Sequence, residues 1–88
     1  IKYMPKRIKK KLKALIIIPV LNEEKNLMPI LKKIPGQISG VFVDILIVDD
    51  GSTDRSGYIA KLNGCKIIKH KTRLGYGQSV IDGLSYAK

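Results

Sequence analysis

The 88-residue sequence predicts an α/β fold: a Rossmann-like half of a doubly wound sheet, three parallel strands alternating with flanking helices. Three observations carry that expectation. Two β-branched apolar runs, Ile16-Ile17-Ile18-Pro19-Val20-Leu21 and Ile45-Leu46-Ile47-Val48, stop abruptly at Asn22-Glu23-Glu24 and at Asp49-Asp50-Gly51-Ser52-Thr53-Asp54. Buried parallel strands end this way when they hand a loop to a ligand-binding edge. The second run is almost continuously hydrophobic from residue 41, which indicates burial on both faces, and each run is followed by residues at helical spacing.

The first strand is expected over residues 14–20, closed by Pro19, which cannot donate to a central ladder. A helix starting at Glu23 would hold Pro29 in its interior at a cost of about 3 kcal/mol. Asn26 is therefore the expected cap, with Pro29 in the first turn, where N–H groups lack partners anyway. Leu27, Ile30, Leu31 and Ile34 follow as a buried stripe, Lys32 and Lys33 face solvent, and Pro35-Gly36 ends the helix. After a loose stretch containing Gly36 and Gly40, the second strand covers 41–48, with Asp44 near its entry end. Ser52 or Thr53 caps the next helix, Asp54 complements its dipole, Ile59, Ala60 and Leu62 give it apolar contacts, Gly57 weakens it, and Asn63-Gly64 stops it. Residues 66–69 form a third strand and 70–76 a basic, glycine-containing loop. The last helix covers 77–87, with Val80, Ile81 and Leu84 on its inner face.

Seventeen lysines and arginines against seven acidic residues give a formal net charge of +10, so anionic partners are expected: nucleotide phosphates, nucleic acid or an acidic membrane surface. Lys2, Lys6, Arg7, Lys9, Lys10, Lys11 and Lys13 make a basic arm of residues 1–13 ahead of an α/β unit at 14–88. The longest apolar run, residues 14–21, is far short of the ~20 residues that span a bilayer. Asn22-Glu23-Glu24 stands where a secretory signal would need small residues. The lone Cys65 fits a buried small residue in a reducing, cytoplasmic setting.

Two stretches carry chemistry. Asp49 and Asp50 are adjacent carboxylates at a strand end, able to accept hydrogen bonds from a base N–H or from ribose hydroxyls. Asp49 and Asp54 suit equally well the satisfaction of turn and cap N–H groups. Glu23 and Glu24 fit a solvated pair near a helix start and gain meaning beside Asp49 and Asp50. The segment Lys69-His70-Lys71-Thr72-Arg73-Leu74-Gly75-Tyr76-Gly77-Gln78-Ser79 joins cations, with Arg73 offering bidentate donors, to a glycine turn ahead of a helix, a cradle for a diphosphate. Val80 stands where a dinucleotide fingerprint needs a third glycine or alanine. His70 is read as a loop-facing polar residue without a partner.

Taken in order, Ile-Pro-Val-Leu-Asn-Glu-Glu ending at Glu24, Ile-Val-Asp-Asp-Gly-Ser-Thr-Asp at 47–54, and Arg-Leu-Gly-Tyr-Gly-Gln-Ser at 73–79 with Gly83-Leu84 resemble the nucleotide-binding half of family-2 inverting glycosyltransferases, closest to the polyprenyl-phosphate (dolichol-phosphate) type. The resemblance covers residues 15–87. It implies a GT-A nucleotide-sugar fold, with Pro19, Leu21 and Glu23 around the nucleoside, Asp50 with Asp49 beside it as the carboxylate that recognises the base, and Arg73 and Gly75 next to the diphosphate. It also implies a UDP- or GDP-sugar donor, a lipid-phosphate acceptor, and Mg2+ or Mn2+ held by an Asp-x-Asp motif and a general base beyond Lys88. The chain is thus expected to be an amino-terminal piece of a transferase, inactive alone, cytoplasmic or at the cytoplasmic face of a membrane. Its raw sheet edge favours self-association. The alternative is a small basic nucleic-acid-binding module. Net charge supports it, and the absence of a recognition motif and the concentration of cations in an arm weigh against it.

Overall fold

The computed structural model describes residues 12–88, so nearly all of the basic arm lies outside the described residues. The elements in chain order are β1 (Lys13–Val20), α1 (Glu24–Lys33), β2 (Gln37–Ile38), β3 (Val41–Asp49), α2 (Ser56–Leu62), β4 (Lys66–Lys69) and α3 (Tyr76–Ala87).

β3 is the central strand. It runs parallel to β1 from the Lys13–Phe42 pair to the Val20–Asp49 pair. Its other edge is shared: β4 pairs parallel with the last four residues of β3, and β2 pairs antiparallel with the first two. The three parallel strands match expectation, whereas the two-residue strand β2 makes the sheet mixed. Its origin is local. Ser39 and Gly40 both hold positive φ, 48° and 81°, the signature of a two-residue hairpin turn that folds Gln37-Ile38 back on Val41-Phe42.

Side chains alternate across the sheet, and helices cover both faces. On one face Ile47 packs with Val20, Leu27 and Leu31 of α1 and Ala60 of α2, flanked by Ile18, Ile45 and Ile67. On the other, α3 lies so close that a Cβ on Gly83 would stand 2.5 Å from the Ile17 Cγ2 methyl and 3.5 Å from Val48. That approach needs glycine.

Several local expectations are corrected. Helix α1 starts at Glu24, not after an Asn26 cap, and holds Pro29 in its interior. Its amino end is capped from far along the chain: Glu23 N–H donates to Ser56 Oγ at 2.9 Å and Glu24 N–H to Asp54 Oδ2 at 3.0 Å. These distant caps offset part of what the proline costs. Second, Ser52 and Asp54 are occupied in this way, so α2 begins only at Ser56. It ends as expected, with Gly64 at φ 74° and the Cys65 and Gly64 N–H groups returning to Ala60 and Lys61 carbonyls. Third, the inner face of α3 is Ser79, Val80 and Gly83, while Ile81 and Leu84 are exposed. On α1, Leu27 and Leu31 are buried, Ile34 is half-buried, and Ile30 is exposed. Cys65 is half-buried, not buried, and that burial pushes its thiol pKa up.

Candidate functional site

The carboxyl ends of β1 and β3 deliver two loops that lock together. Asn22 N–H donates to Ser52 Oγ at 2.9 Å, and Asn22 Oδ1 accepts from Thr53 N–H at 2.8 Å. Arg55 N–H donates to Glu24 Oε1 at 2.7 Å. Asp54 Oδ1 accepts from both the amide and the hydroxyl of Ser56, at 2.9 and 2.6 Å, and these bonds hold its carboxyl pKa below the usual value. Asn22 sits at φ 53°, a left-handed conformation that asparagine tolerates.

Asp50, one residue past β3, organises the third loop. Its Oδ1 accepts from the Leu74 N–H at 2.7 Å and faces His70 Nδ1 at 2.8 Å, while Oδ2 accepts from the Gly75 N–H at 2.9 Å. Asp50 and His70 are both buried. The hydrogen bond from His70 and those from the loop amides hold the Asp50 carboxyl below its ordinary pKa. The other ring nitrogen of His70, Nε2, lies 2.7 Å from Asp82 Oδ2 on α3, and Gln78 Nε2 donates to Asp82 Oδ1 at 2.8 Å. Gly75, at φ 102°, is the residue before α3; its carbonyl accepts the Ser79 N–H.

Between these loops and the start of α3 lies a cavity of about 210 Å³ lined by Pro19, Val20, Leu21, Asp50, Arg73, Tyr76 and Ser79. Four residues that the sequence singled out, Pro19, Leu21, Asp50 and Arg73, thus share one concavity at the carboxyl edge of the sheet. Gly75 adjoins it through its bond to Asp50. Asp49 does not join them. Strand alternation turns its side chain to the α2 face, where Oδ1 accepts the Ser52 N–H at 2.9 Å and a Cβ on Gly57 would stand 3.0 Å from Oδ2. That Oδ2 is buried, accepts no hydrogen bond among the described residues and has Lys69 Nζ at 3.9 Å. Glu23 is exposed and stands outside the cavity lining, serving α1 through its backbone. A second cavity of similar volume lies at the opposite end of the sheet, by Ile34, Val43 and Cys65, away from every residue singled out for chemistry.

Tyr76 and Ser79 lie within the segment expected to form the cradle, though the sequence does not single them out, and His70, expected to be a loop-facing residue without a partner, is buried between Asp50 and Asp82. The pairing of Asp49 with Lys69 makes Asp50 and His70 the next residues on one face of the sheet, so they meet. That register is invisible in the sequence.

The paired carboxylates at the end of β3 do not suit a divalent cation. Asp50 already accepts two amide hydrogen bonds and faces an imidazole N–H, and Asp49 points to the other face. Among the described residues no group of three or more His, Cys, Asp or Glu is placed to hold a metal. No described helix is long and apolar enough to cross a membrane.

A family model described as glycosyl transferase family 2 matches residues 15–88. An uncharacterized protein of Methanocaldococcus jannaschii is 32% identical over 72 residues, which are 82% of this chain and 28% of that protein. Dolichol-phosphate mannosyltransferase of Pyrococcus furiosus is 30% identical over 80 residues, covering 86% of this chain and 23% of that enzyme. Undecaprenyl-phosphate 4-deoxy-4-formamido-L-arabinose transferase of Pseudomonas paraeruginosa is 35% identical over 69 residues, 72% of this chain and 20% of the enzyme. Among solved structures, glucosyl-3-phosphoglycerate synthase from Mycobacterium tuberculosis in complex with uridine diphosphate superimposes with a TM-score of 0.70 at 23% identity, over 86% of this chain and 30% of that one. That likeness is one of fold, the GT-A arrangement. The chain spans less than a third of the length of each of these proteins.

Proposed function

This chain belongs to glycosyl transferase family 2, and from that membership we propose that it binds the nucleoside diphosphate part of a nucleotide sugar for transfer to an acceptor, a polyprenyl phosphate. The observation that carries the reading is the cavity itself: Pro19 and Leu21 from the end of β1, Asp50 from the end of β3, Arg73 from the loop entering α3 and Tyr76 from the first position of α3 surround one space. Ligands of open α/β sheets bind beyond the carboxyl ends of the strands, where adjacent loops part.

Each lining group has work suited to its chemistry. Leu21 and Pro19 offer an apolar wall to a nucleobase, and the Tyr76 ring, exposed beside them, offers a face for stacking. Asp50 holds its carboxylate at the cavity while its other lone pairs fix the Leu74–Gly75 backbone. Arg73 supplies a planar, always-charged fork for diphosphate oxygens, and the unpaired N–H groups of the first turn of α3 add positive potential. In transfer, an acceptor phosphate oxygen attacks the anomeric carbon from the face opposite the diphosphate. The glycosidic C–O bond breaks with its electron pair on the leaving oxygen, and Arg73 stabilises the charge that develops there.

The names of the two lipid-phosphate transferases among the relatives support the acceptor class. A net charge of +10 favours approach to an anionic membrane from its cytoplasmic side. The Mg2+ or Mn2+ of the reaction is assigned to residues other than those of this chain.

Amide shifts in a 15N-labelled chain titrated with UDP and GDP test the reading. Perturbations should gather at Leu21, Asp50, Arg73 and Tyr76. Shifts confined to the cavity by Cys65, or none at all, would contradict it.

A further inference from the structure

His70 is the only histidine of the chain, and it is buried between two carboxylates on two different elements. Its Nδ1 is 2.8 Å from Asp50 Oδ1 and its Nε2 is 2.7 Å from Asp82 Oδ2. A neutral imidazole has one N–H and one lone pair. In that form one of the two carboxylates would face a lone pair at hydrogen-bond distance, so the geometry fits the doubly protonated ring, with both nitrogens donating. The same Asp50 oxygen that faces His70 also accepts the Leu74 N–H, and its partner oxygen accepts the Gly75 N–H. The chain Asp82–His70–Asp50 therefore ends on the backbone of the loop that carries Arg73 and Tyr76 to the cavity.

We propose that His70 and Asp82 are positioning residues of the nucleotide site, forming a protonated carboxylate–imidazolium–carboxylate strut that fixes Asp50 and, through it, the Arg73–Tyr76 loop. The role rests on the nucleotide-sugar reading given above. Neither residue touches the ligand; both act through Asp50. Loss of the ring proton leaves Asp50 and Asp82 competing for one N–H, and the end that loses lets go either of the loop or of α3. Nucleotide affinity then follows the protonation of a residue outside the cavity lining.

Among the described residues the charged groups facing the ring are Asp50 from the end of β3 and Asp82 from α3. Lys69, the preceding residue on β4, points to the opposite face, toward Asp49, and Lys71 and Arg73 of the following loop are exposed. The hydrogen bond to Asp50, followed by that to Asp82, outweighs burial and raises the His70 pKa above its ordinary 6.5. The direction agrees with the geometry.

The test pairs two measurements on the 88-residue chain over pH 5 to 9. Imidazole 15N shifts follow one ring without ambiguity, and calorimetry follows affinity for UDP-glucose and GDP-mannose, whose esterified diphosphates keep a constant charge across that range. In the parent, the ring should titrate above pH 6.5, and affinity for whichever probe binds should fall at least fivefold through the same midpoint. In Asp82→Asn, which keeps the side-chain shape and removes one anion, both midpoints should move together to lower pH. A parent midpoint at or below 6.5, which needs no variant to observe, would overturn the strut. So would an affinity profile that stays put in Asp82→Asn while the ring midpoint moves, which is the outcome of a merely structural role. Binding with no pH dependence overturns the positioning role and leaves the nucleotide reading standing. Failure of the parent to bind either probe at any pH overturns both.

Discussion

Gly51 and Arg73 meet backbone to backbone: a Cβ on Gly51 would stand 2.8 Å from the Arg73 nitrogen, and the glycine holds φ 84°. The turn after β3 is thereby pressed against the loop that carries the cationic side of the cavity. Gly51→Ala violates both the space and the dihedral. It is expected to lower unfolding stability by about 1–3 kcal/mol and to weaken UDP or GDP binding by about tenfold, by calorimetry, as Arg73 is displaced. Gly36→Ala is the control, since among the described residues no heavy atom beyond its chain neighbours lies within 4 Å of its Cβ position. It should change neither.

The interlocked loops make a second prediction. Ser56 Oγ accepts from the Glu23 N–H and donates to Asp54, and Ser56 is fully buried. Ser56→Ala leaves the Glu23 amide without its acceptor, which should cost about 1–3 kcal/mol in denaturant unfolding. The expected structural consequence is fraying of α1 at Glu24, visible as faster amide exchange there than in α3.

Burial on α1 separates two neighbours that sequence periodicity treats alike. Leu27 is 1% exposed and Ile30 is 45% exposed. Leu27→Ala should therefore destabilise by about 2–5 kcal/mol, and Ile30→Ala by under about 1 kcal/mol, in the same urea titration.

Much of the fold was legible because it depends on short-range patterns. The β-branched runs ending at Val20 and Asp49 form the buried parallel strands their composition favours, and Asn63-Gly64 stopped α2 as its chemistry requires. Pro19, Leu21, Asp50 and Arg73 could be grouped because strand ends of one sheet share an edge. What failed depended on partners far away in sequence. Asp54 and Ser56 cap α1 across about thirty residues, so a local cost assigned to Pro29 pointed to the wrong start. Asp49 and Asp50 read as a pair, yet alternation sends them to opposite faces. The close fit of Gly83 on Ile17 rotates α3 so that Ile81 and Leu84 remain exposed, against a stripe drawn from hydrophobicity alone.

Stability should also depend on pH in a direction set by the buried charges. The His70 pKa is raised, so its contribution is complete below its ordinary 6.5 and is lost as pH rises through the folded value. The Asp50, Asp54 and Asp82 pKa values are lowered from 3.8, so their contribution is complete above that value and is lost as pH falls through the folded values. The melting temperature should therefore be highest between about pH 4 and pH 6.5 and decline on both sides. In Asp82→Asn the alkaline decline should begin at lower pH, as followed by circular dichroism.

The most direct measurement of the central claim is calorimetric titration of UDP and GDP into the parent chain and into Arg73→Ala at pH 6. Arg73 is exposed and its side chain makes no hydrogen bond among the described residues, so its loss should spare stability while removing the guanidinium from the cavity. Binding of at least one nucleotide to the parent, weakened about 10- to 100-fold in Arg73→Ala as charge-assisted hydrogen bonds are lost, is the expected result. Equal affinity in the two proteins, or no heat in the parent, would contradict a nucleotide diphosphate site at the carboxyl edge of this sheet.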